Sequence, residues 1–464
     1  MLINIKLLLI IWISLTTNFF CLGQKSIVSR EELAARYVIS NATIFNGRDS
    51  ILIPNQDVFV NKGRIEKITE TNTQSYEGYD LINGTNKYLM PGLIDAHIHI
   101  HSNGSTPWSK KRVKNKRITQ SLLFCGITTV FDLGGNAKQS EKLRRKAKKE
   151  RIFSPDLYFS HYPITISDSH PLPASRDIIP FPLSKLLNRI IPIVENKEMA
   201  KIEVGKYVKR NVDFVKIICD EMPLGSPVMS YEILKSIIEE THSLNYKAVV
   251  HVGSSENAIN AIKAGADVLA HGIYRGKLSE EDAKFIAESK IPIIYTLFVF
   301  ELSAQLTEGI YNPTQFDSLL LDQKILKGIT TNQALQIKNY PVIHAITSNL
   351  VNERENWRSN LDLLRKYGAK IIVGTDSGTP GLGHGTAIYH EIDELLKYGL
   401  TNYEVLRAAT YLSSSTYMDK PSFGFLNEGF EADMLLLNNN PLQEINAVKY
   451  PSLIFTNGLI FKRN

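Results

Sequence analysis

Two histidines one residue apart mark the first place in this sequence where chemistry could occur. The segment Pro91-Gly-Leu-Ile-Asp-Ala-His-Ile-His places His97 and His99 at the end of an apolar run. Side chains in a β-strand alternate between its two faces, so residues two apart point the same way. Two imidazoles at the end of one strand can share a metal ion, and we predict that both are ligands. His101 continues the alternation but lies deeper in the following loop, which makes it a weaker candidate.

Other metal-binding residue types occupy comparable positions further along the chain. Each closes an apolar, strand-like run, and they are Lys216, His251, His271 and Asp376. Imidazole and carboxylate groups suit zinc and similar divalent ions. A single histidine at a strand end is more often a structural hydrogen-bonding residue, but that explanation does not account for the whole set. We therefore predict a site for one or two divalent ions per chain, with zinc the expected metal.

Lys216 needs a separate explanation, because a protonated ammonium group repels a cation. As a neutral amine it could react with carbon dioxide to form a carbamate, whose two oxygens can bridge two metal ions. The alternative is an ordinary ion pair with Asp213 or Asp220, which lie within four residues of it. Spacing alone leaves both explanations open.

The elements that must hold these side chains follow from the pattern of apolar runs. Eight candidate strands alternate with helical patterns in the middle of the chain, at 93–98, 128–132, 157–160, 214–218, 248–251, 268–271, 291–295 and 370–374. Such alternation predicts an α/β fold, a parallel (β/α)₈ barrel of the TIM type, in which the carboxyl ends of the strands converge on the catalytic face. An open doubly wound sheet is the alternative, but no glycine-rich dinucleotide loop follows an early strand.

Both ends of the chain have the pattern of β-structure. Short alternating segments separated by glycine-containing turns run from Arg36 to Gly92, and the pattern returns near the C-terminus. We predict a composite β-sandwich domain from residues 24–90 and 420–464, and a barrel domain that carries the metal site from residues 91–419. Two long connections, 161–192 and 301–356, are expected to be loops that serve as lids or pocket walls.

Composition and charge narrow the class of partner. The chain has 464 residues, of which 43% are hydrophobic and 22% charged, and this matches globular proteins and leaves room for a barrel and a smaller domain. The formal charge of +6 is mild for this length. The basic runs at 110–117 and 142–151 accompany no nucleic-acid motif, and the second has the pattern of a solvated helix face. We expect a small-molecule substrate and no nucleic-acid partner, and a homo-oligomer is compatible with the sequence.

Residues 1–23 have the pattern of a secretory signal peptide. Lys6 precedes a short apolar stretch, and small residues lead up to Gly23. The stretch is too short for a comfortable transmembrane helix, so no stable membrane anchor is expected. A lipoprotein attached through Cys21 is the alternative to cleavage after Gly23. We expect an exported protein, periplasmic or secreted, of bacterial origin.

The remaining cysteines, Cys125 and Cys219, each lie in an apolar stretch. Two such residues do not make a disulfide framework, even in an exported protein. We predict that both are buried, unpaired hydrophobic residues.

In combination, these motifs resemble the amidohydrolase superfamily, and especially its imidazolonepropionase-like and prolidase-like branch. The resemblance covers nearly the whole mature chain and includes Pro91–His99, Lys216, His251, His271-Gly272, Gly374-Thr-Asp376, His384-Gly385 and Gly429-Phe-Glu-Ala-Asp433. It implies a β-sandwich packed on the barrel and metal ligands at His97, His99, His251, His271 and Asp376. In the lysine-bearing relatives the matching lysine is carboxylated and bridges two zinc ions, which implies the same for Lys216.

Two loops depart from the family's pattern. The Gly-Gly-His turn after the third strand is Ser-Asp-Ser-His170 here, and the small turn after the lysine strand is replaced by Cys219-Asp-Glu-Met-Pro. Because both changes lie in pocket loops, they leave hydrolysis expected and the substrate open. His170 and His384, on loops near the site, are expected to hold a substrate carboxylate or carbonyl group. Each could instead be an ordinary surface histidine.

The expected activity is metal-dependent hydrolysis of the amide C–N bond of a small substrate, such as a dipeptide or an N-acyl amino acid. Metal binding lowers the pKa of water from about 15.7 to about 7, and Asp376 is expected to serve as general base and then general acid. Hydrolysis of a cyclic amide or a lactone is the alternative reaction. A binding protein that retains the fold without catalysis is the non-enzyme alternative, but competent side chains at every expected metal position weigh against it.

Overall fold

The computed structural model describes residues 26–109, 113–179 and 181–464. The predicted signal peptide, residues 1–23, lies outside the described residues. Within the described ranges, every helix is too short or too polar to span a bilayer. Cys125 and Cys219 are buried and free, as predicted.

The N-terminal segment forms the first part of a β-domain. Its strands are β1 (Val28–Glu31), β2 (Arg36–Phe45), β3 (Leu52–Asn61), β4 (Arg64–Glu70), β5 (Asp80–Asn83) and β6 (Tyr88–Pro91). The barrel strands follow as β7 (Leu93–Ile98), β8 (Ile127–Asp132), β9 (Asp156–Phe159), β10 (Val215–Ile218), β11 (Ala248–His251), β12 (Val268–Ala270), β13 (Ile293–Tyr295) and β14 (Ile371–Val373). The C-terminal segment returns to the β-domain as β15 (Met434–Leu437), β16 (Leu453–Thr456) and β17 (Leu459–Arg463).

The eight middle strands form a closed parallel barrel. Strands β7 to β9 pair in one set and β10 to β14 in another, all in parallel register. Ile98 bridges Ser377 just after β14, and Ile164 bridges Ile217 in β10, so the two sets join at both ends. The (β/α)₈ prediction is confirmed, and each predicted strand lies within a few residues of an observed one.

Alternation along the strands fills the barrel interior with apolar side chains. One buried cluster takes inward-facing residues from seven of the strands or their ends: Ile94, Ala96, Phe131, Leu133, Phe214, Val249, Val268, Ala270, Ile294 and Ile372. Tyr417 and Phe423 enter the same cluster from the segment that follows the barrel, and Tyr417 stacks on Phe131 with ring centroids 4.0 Å apart. The barrel is therefore packed and solid beneath its carboxyl face.

A β-bulge in β7 re-aims its last residues. Asp95 lies opposite Val130 and Ile98 lies opposite Asp132, so β7 contains one more residue than β8 over this stretch. Before the bulge, Ile94 faces the barrel interior. After it, Ile98 belongs to the outer core. The extra residue reverses the alternation, which turns His97 inward.

The helices surround the barrel and carry its loops. They are α1 (Asn115–Phe124), α2 (Ala137–Lys148), α3 (Leu172–Ile178), α4 (Leu187–Ile190), α5 (Lys197–Val208), α6 (Tyr231–Ser243), α7 (Ser255–Ala264), α8 (Glu280–Glu288), α9 (Leu297–Glu308), α10 (Gln315–Leu320), α11 (Gln323–Thr330), α12 (Gln333–Ile337), α13 (Pro341–Lys366), α14 (Thr386–Lys397), α15 (Asn402–Ala408) and α16 (Tyr411–Tyr417), with 3₁₀ turns at Leu183–Leu186 and Ile445–Lys449. Side chains of Asn136, Asn196, Ser230, Ser254, Ser279 and Thr401 cap the helices that follow them. The basic run at 142–151 lies largely on the exposed face of α2 and its end, as predicted.

The two long connections differ from the predicted loops. Most of residues 301–356 is helical, because α9 to α13 fold as an insertion between β13 and β14. The 161–192 connection contains α3 and α4 and meets that insertion: Asp177 accepts hydrogen bonds from the backbone N–H groups of Val342 and Ile343 at the start of α13. The loop interpretation was wrong for the second connection because its apolar residues pack as short amphipathic helices. Both connections wall the barrel mouth.

The terminal segments share one nine-stranded sheet in which β15 pairs with β6 and β17 pairs with β1. This sheet folds back over its own apolar core. Tyr37 of β2 stacks on Phe455 of β16 at 5.7 Å although β15 and β6 lie between these strands in the sheet. A flat sheet would separate them by about 14 Å. The β-domain is thus a two-layered structure composed of both chain ends.

Candidate metal centre

The structure brings the six predicted metal ligands together at the carboxyl face of the barrel. Ring centroids lie 4.8 Å apart for His97 and His271, 5.4 Å for His97 and His99, and 4.3 Å for His251 and His271. Asp376 places Oδ1 2.9 Å from Nε2 of His99 and 3.3 Å from Nε2 of His97. The Lys216 ammonium, when protonated, acts electrostatically on His97, His251 and His271, so it lies in the same cluster.

In three of the histidines, a hydrogen bond to one ring nitrogen fixes the orientation of the ring and leaves the other ring nitrogen facing the cluster. Nδ1 of His99 lies 3.0 Å from the carbonyl oxygen of Gly134, and Nδ1 of His271 lies 2.7 Å from the hydroxyl of Thr296. In His251 it is Nε2 that is engaged, 3.2 Å from Asp220. Metal-binding histidines are held in this way through their second nitrogen. Nε2 of His99 and His271 and Nδ1 of His251 are therefore the coordinating atoms on offer.

The residues fit a bound divalent ion. One ligand atom each from His97, His271 and Asp376 lie within 4.8 Å of one another. Two buried polar atoms of the cluster have no hydrogen-bond partner among the described residues: Nδ1 of His97 and Nζ of Lys216. Buried polar groups are rarely left unpaired, so a cluster of such atoms indicates a missing partner. The mixed nitrogen and oxygen donor set suits zinc and related ions.

Lys216 does not form the ion pair that would explain it as an ordinary barrel residue. Asp213 is committed to Arg144 at 2.7 Å, and Asp220 to Arg275 at 2.8 Å. Nζ of Lys216 is buried without a hydrogen-bond partner in the described chain. Burial lowers the pKa of Lys216 to about 7, and the charge of Asp376 only partly opposes this. Near neutral pH a large fraction of the side chain is therefore the uncharged amine.

Burial also favours the neutral form of three predicted histidine ligands, whereas in His99 burial is outweighed by the contact with Asp376, which raises its pKa. Burial lowers the pKa of His97, His251 and His271 well below the usual histidine value, and neighbouring cationic groups lower it further. A neutral imidazole has the lone pair that a metal ion requires. The electrostatics of the pocket therefore hold these three ligands in the binding-competent form.

Two ligands occupy left-handed backbone conformations. His271, with φ of 74°, follows directly after β12, and Asp376, with φ of 58°, lies three residues after β14. Non-glycine residues rarely adopt this region, and such strain concentrates at functional sites. The turn lets each side chain point back over the barrel mouth, which continued strand geometry would not allow.

The buried carboxylate of Asp220 holds the ring of His251, a role that the sequence did not predict. Asp220 is fully buried and, besides contacting His251, accepts hydrogen bonds from the Tyr274 hydroxyl and lies 2.8 Å from Arg275. The replacement of the family's small turn by Cys219-Asp-Glu-Met-Pro was the available signal for it. The sequence gave no indication that Thr296 contacts His271, because only folding brings these two residues together.

The two predicted substrate-binding histidines differ in their surroundings. His170 lies beside the cluster, 5.0 Å from His251 between ring centroids, and its buried Nδ1 has no hydrogen-bond partner in the described chain. His384 is buried with both nitrogens engaged, one by the Ser377 hydroxyl at 3.0 Å and the other by the Ser102 carbonyl at 2.7 Å. The structure thus leaves His170 free to contact a ligand and places His384 in a link between two loops.

His101 is turned away from the metal cluster. Its Nε2 lies 2.8 Å from the Ser140 hydroxyl and its Nδ1 lies 3.3 Å from the Asn115 amide. The same Ser140 hydroxyl donates to Asp132, which is fully buried. His101 therefore fixes the loop after β7 to α1 and α2.

The sequence model of the amidohydrolase family matches residues 88–459. The chain belongs to the amidohydrolase family. Its members are hydrolases of C–N bonds that are generally metal-dependent, which agrees with the barrel and with the residues gathered at its mouth.

Individual relatives are distant but extend over most of the chain. An ochratoxinase of Aspergillus niger is 23% identical over 409 residues, covering 81% of this chain and 75% of its own length. An imidazolonepropionase of Idiomarina loihiensis is 20% identical and covers 86% and 89%. A solved Xaa-Pro dipeptidase with bound methionine superposes with a TM-score of 0.71 at 18% identity, covering 92% of this amidohydrolase and all of that chain.

Proposed function

We propose that this amidohydrolase cleaves the amide bond of a small substrate, such as a dipeptide or an N-acyl amino acid, at a pair of zinc ions bridged by carboxylated Lys216. The observation that carries the proposal is the buried Nζ of Lys216, which has no hydrogen-bond partner in the described part of the chain and lies near Asp376 and three of the predicted histidine ligands. The uncharged amine and carbon dioxide combine to form a carbamate with release of one proton. The resulting anion would offset the charge of bound cations and could supply oxygen ligands to them.

The dipeptide class draws support from the relatives. The solved neighbour described above is a Xaa-Pro dipeptidase. Imidazolonepropionase, at a similar distance in sequence, makes a cyclic amide the alternative substrate. The presence of Lys216 favours the two-metal arrangement and hence the first class.

The mechanism assigns separate tasks to the chain's own residues. His97, His99, His251, His271, Lys216 and Asp376 would hold the ions, which when bound supply Lewis acidity that lowers the pKa of water and polarises a carbonyl group. Asp376, with a carboxylate oxygen at the centre of the cluster, accepts the proton of the attacking water. It then returns that proton to the leaving nitrogen, so that water and amide become a carboxylic acid and an amine.

His170 is proposed to hold the substrate. Burial lowers the pKa of His170 to about 4, so the ring is neutral under working conditions. Its free Nδ1 can donate to a carbonyl or carboxylate oxygen when the proton resides there. His384 is proposed to act indirectly, by keeping the loop that carries Asp376 against the loop that follows His99.

A substrate panel tests the reaction class. Protein purified with zinc is assayed against dipeptides, N-acyl amino acids, cyclic amides and lactones. We expect turnover of at least one linear amide, with Asp376→Asn lowering kcat by a factor of about 10² to 10⁴ as the loss of a general base does. Activity confined to lactones or cyclic amides would replace the proposed substrate class, and metal binding without any turnover would favour the non-enzyme alternative.

Metal content tests the site independently of the substrate. His97→Ala and His99→Ala should each lose at least one metal equivalent per chain, as measured by elemental analysis. His101→Ala is the matched control, because that ring faces Ser140 and Asn115, and it should retain its metal. Full occupancy in the His97/His99 double variant would contradict the ligand assignment.

A further inference from the structure

A second group of carboxylates lies on the other side of the molecule, where the barrel meets the β-domain. Asp156 begins β9, and Glu431 and Asp433 lie just before β15. One oxygen from each of these three residues lies within 4.8 Å of the other two. They line a cavity of about 340 Å³. None of them belongs to the metal centre at the barrel mouth.

Asp433 carries the clearest sign that a partner is missing. Its side chain is 3% exposed, and Oδ2 has no hydrogen-bond partner among the described residues. Oδ1 accepts a 3.3 Å contact from the backbone N–H of Asn457, and the Thr456 side chain hydrogen-bonds the carboxylate and lowers its pKa slightly against the larger effect of burial. An ionised carboxylate buried in this way needs a compensating cation or a proton. Two further carboxylates beside it increase that requirement.

The side-chain amide of Asn457 faces the same group. One of its two terminal atoms lies 2.8 Å from Oδ1 and 3.3 Å from Oδ2 of Asp156. With its nitrogen on that side, the amide donates a hydrogen bond to Asp156. This is the orientation in which both terminal atoms of the amide find suitable partners, so Asn457 holds Asp156 in the group as a hydrogen-bond donor and is not itself a ligand.

We infer that Asp156, Glu431 and Asp433 form a second metal site, specific for a hard divalent cation of the size of Ca²⁺. Calcium prefers carboxylate and carbonyl or amide oxygens and tolerates irregular geometry. The absence of histidine and cysteine from this group distinguishes it from the barrel centre, whose donors suit softer ions.

Four basic side chains line the cavity, those of Lys62, Arg64, Arg144 and Lys148. Arg144 pairs with Asp213 at 2.7 Å, outside the group, whereas Arg64 contacts Glu431 at 3.3 Å and also donates to the Gly429 carbonyl at 2.9 Å. Lys148 acts on Asp156 from a distance and is the competing source of positive charge. In the described part of the chain, Asp433 is thus the carboxylate of the three that pairs with none of these basic side chains.

The position of the site assigns it a structural role. Asp156 belongs to the barrel, whereas Glu431, Asp433 and Asn457 belong to the C-terminal part of the β-domain. The turn that holds Asn457 packs on the turn between β3 and β4, where a Cβ on Gly63 would lie 2.8 Å from Cα of Gly458. A bound cation would thus cross-link the barrel to the C-terminal half of the β-domain, which packs on the N-terminal half through the turn at Gly63.

Terbium luminescence tests the inference, because Tyr158 lines the same cavity and can sensitise a bound Tb³⁺ ion. Tb³⁺ is titrated into the full chain loaded with its barrel metal. We expect tyrosine-excited emission that saturates at about one ion per chain and is displaced by Ca²⁺. Tyr158→Phe should remove most of the emission while calorimetry still detects the binding.

The ligand variants decide the outcome. Asp433→Asn, Asp156→Asn and Glu431→Gln should each weaken Tb³⁺ binding about tenfold or more, because each removes a ligand charge. Glu77→Gln, at an exposed position, should leave it unchanged. Ca²⁺ should also raise the Tm of the wild type and not that of Asp433→Asn. A folded wild type without saturable emission would overturn the inference and assign charge compensation to Lys148 and a proton. Emission that all three ligand variants retain would also overturn it.

Discussion

At the scale of single residues, the metal centre depends on side chains that are deprived of alternative partners. Lys216 is buried and largely uncharged near neutral pH, and the two acidic residues that flank it in sequence, Asp213 and Asp220, already pair with arginines. His251 owes its orientation to Asp220. Each of these two features leads to a prediction.

Replacing Lys216 separates a two-metal from a one-metal site. Lys216→Ala should reduce the metal content from about two ions per chain to one or fewer, because the bridging oxygens are lost. Elemental analysis measures this directly. Lys216→Glu is the control, since its carboxylate can supply two oxygens and should retain more metal than alanine does. A wild type with one metal, unchanged in Lys216→Ala, would return Lys216 to an ordinary structural role.

Replacing Asp220 tests the orientation of His251. Asp220→Asn should weaken metal binding by about 10- to 100-fold, the usual effect of removing a group that holds a ligand histidine. Competition with a chromophoric chelator measures the affinity. Asp213→Asn is the matched control: it breaks a buried pair with Arg144 near the same strand but does not touch a ligand. Equal losses in both variants would show a general effect on folding.

At the scale of secondary-structure elements, connections between strands and helices set the shape of the mouth. The bulge in β7 reverses its alternation just before His97. The insertion between β13 and β14 begins with α9, whose first backbone N–H groups, those of Leu297 and Phe298, donate to Glu391 of α14. Glu391 therefore holds the start of the insertion against the barrel.

Glu391 should make stability depend on pH. Burial raises the pKa of Glu391 to about 8, although its two backbone hydrogen bonds oppose this, and the pKa in the unfolded chain is about 4.3. The folded state binds the Glu391 proton more tightly than the unfolded chain does. The contribution of Glu391 to stability is therefore fully present below its pKa in the unfolded chain and is lost as the pH rises through its pKa in the folded protein. At fixed metal loading, the Tm of Glu391→Gln should therefore fall less between about pH 5 and pH 8 than the Tm of the wild type does. Glu239→Gln, on the exposed side of α6, should keep the wild-type slope.

At the scale of the whole molecule, the two chain ends tie the β-domain to the barrel. Arg463 of β17 donates to the carbonyl oxygens of Phe124 and Lys449 at 2.7 and 2.6 Å and to the Tyr389 hydroxyl at 2.8 Å. Phe124 ends α1 and Tyr389 lies in α14. One side chain thus joins the last strand to two barrel helices.

Removing the Arg463 side chain should lower the stability of the protein. Arg463→Ala should lower the free energy of unfolding by about 3 kcal/mol, because it leaves buried acceptors without a charged donor. Lys462→Ala, one residue away and exposed, should change it by no more than about 0.5 kcal/mol. Chemical denaturation of both variants measures the difference. Similar values for the two would contradict the role of Arg463.

We also propose export with removal of residues 1–23. The proposal rests on Lys6, the apolar stretch after it and the small residues before Gln24. Mass spectrometry of protein exported by a bacterial host should find Gln24 as the first residue. An intact Met1, or a lipid on Cys21, would contradict cleavage at this position.

Local pattern was sufficient to predict the barrel and its principal side chains. Apolar runs of strand length that alternate with helical periodicity depend only on neighbouring residues, and so does the position of His97, His251 or Asp376 at the end of such a run. The parallel barrel then brings those ends to one face whatever the details of packing. For this reason the ligand set could be predicted from the sequence before any contact was known.

Tertiary structure decided the features that depend on residues distant along the chain. The bulge that turns His97 inward arises from pairing with β8, and the partner of His271 is Thr296 in the next strand's loop. His384, predicted on a loop near the substrate, has both nitrogens taken by loops that only meet in the folded barrel. Asp156 and Asp433 come together across the two domains although 277 positions separate them in sequence. Sequence periodicity describes one element at a time, whereas these contacts are set by how elements pack against one another.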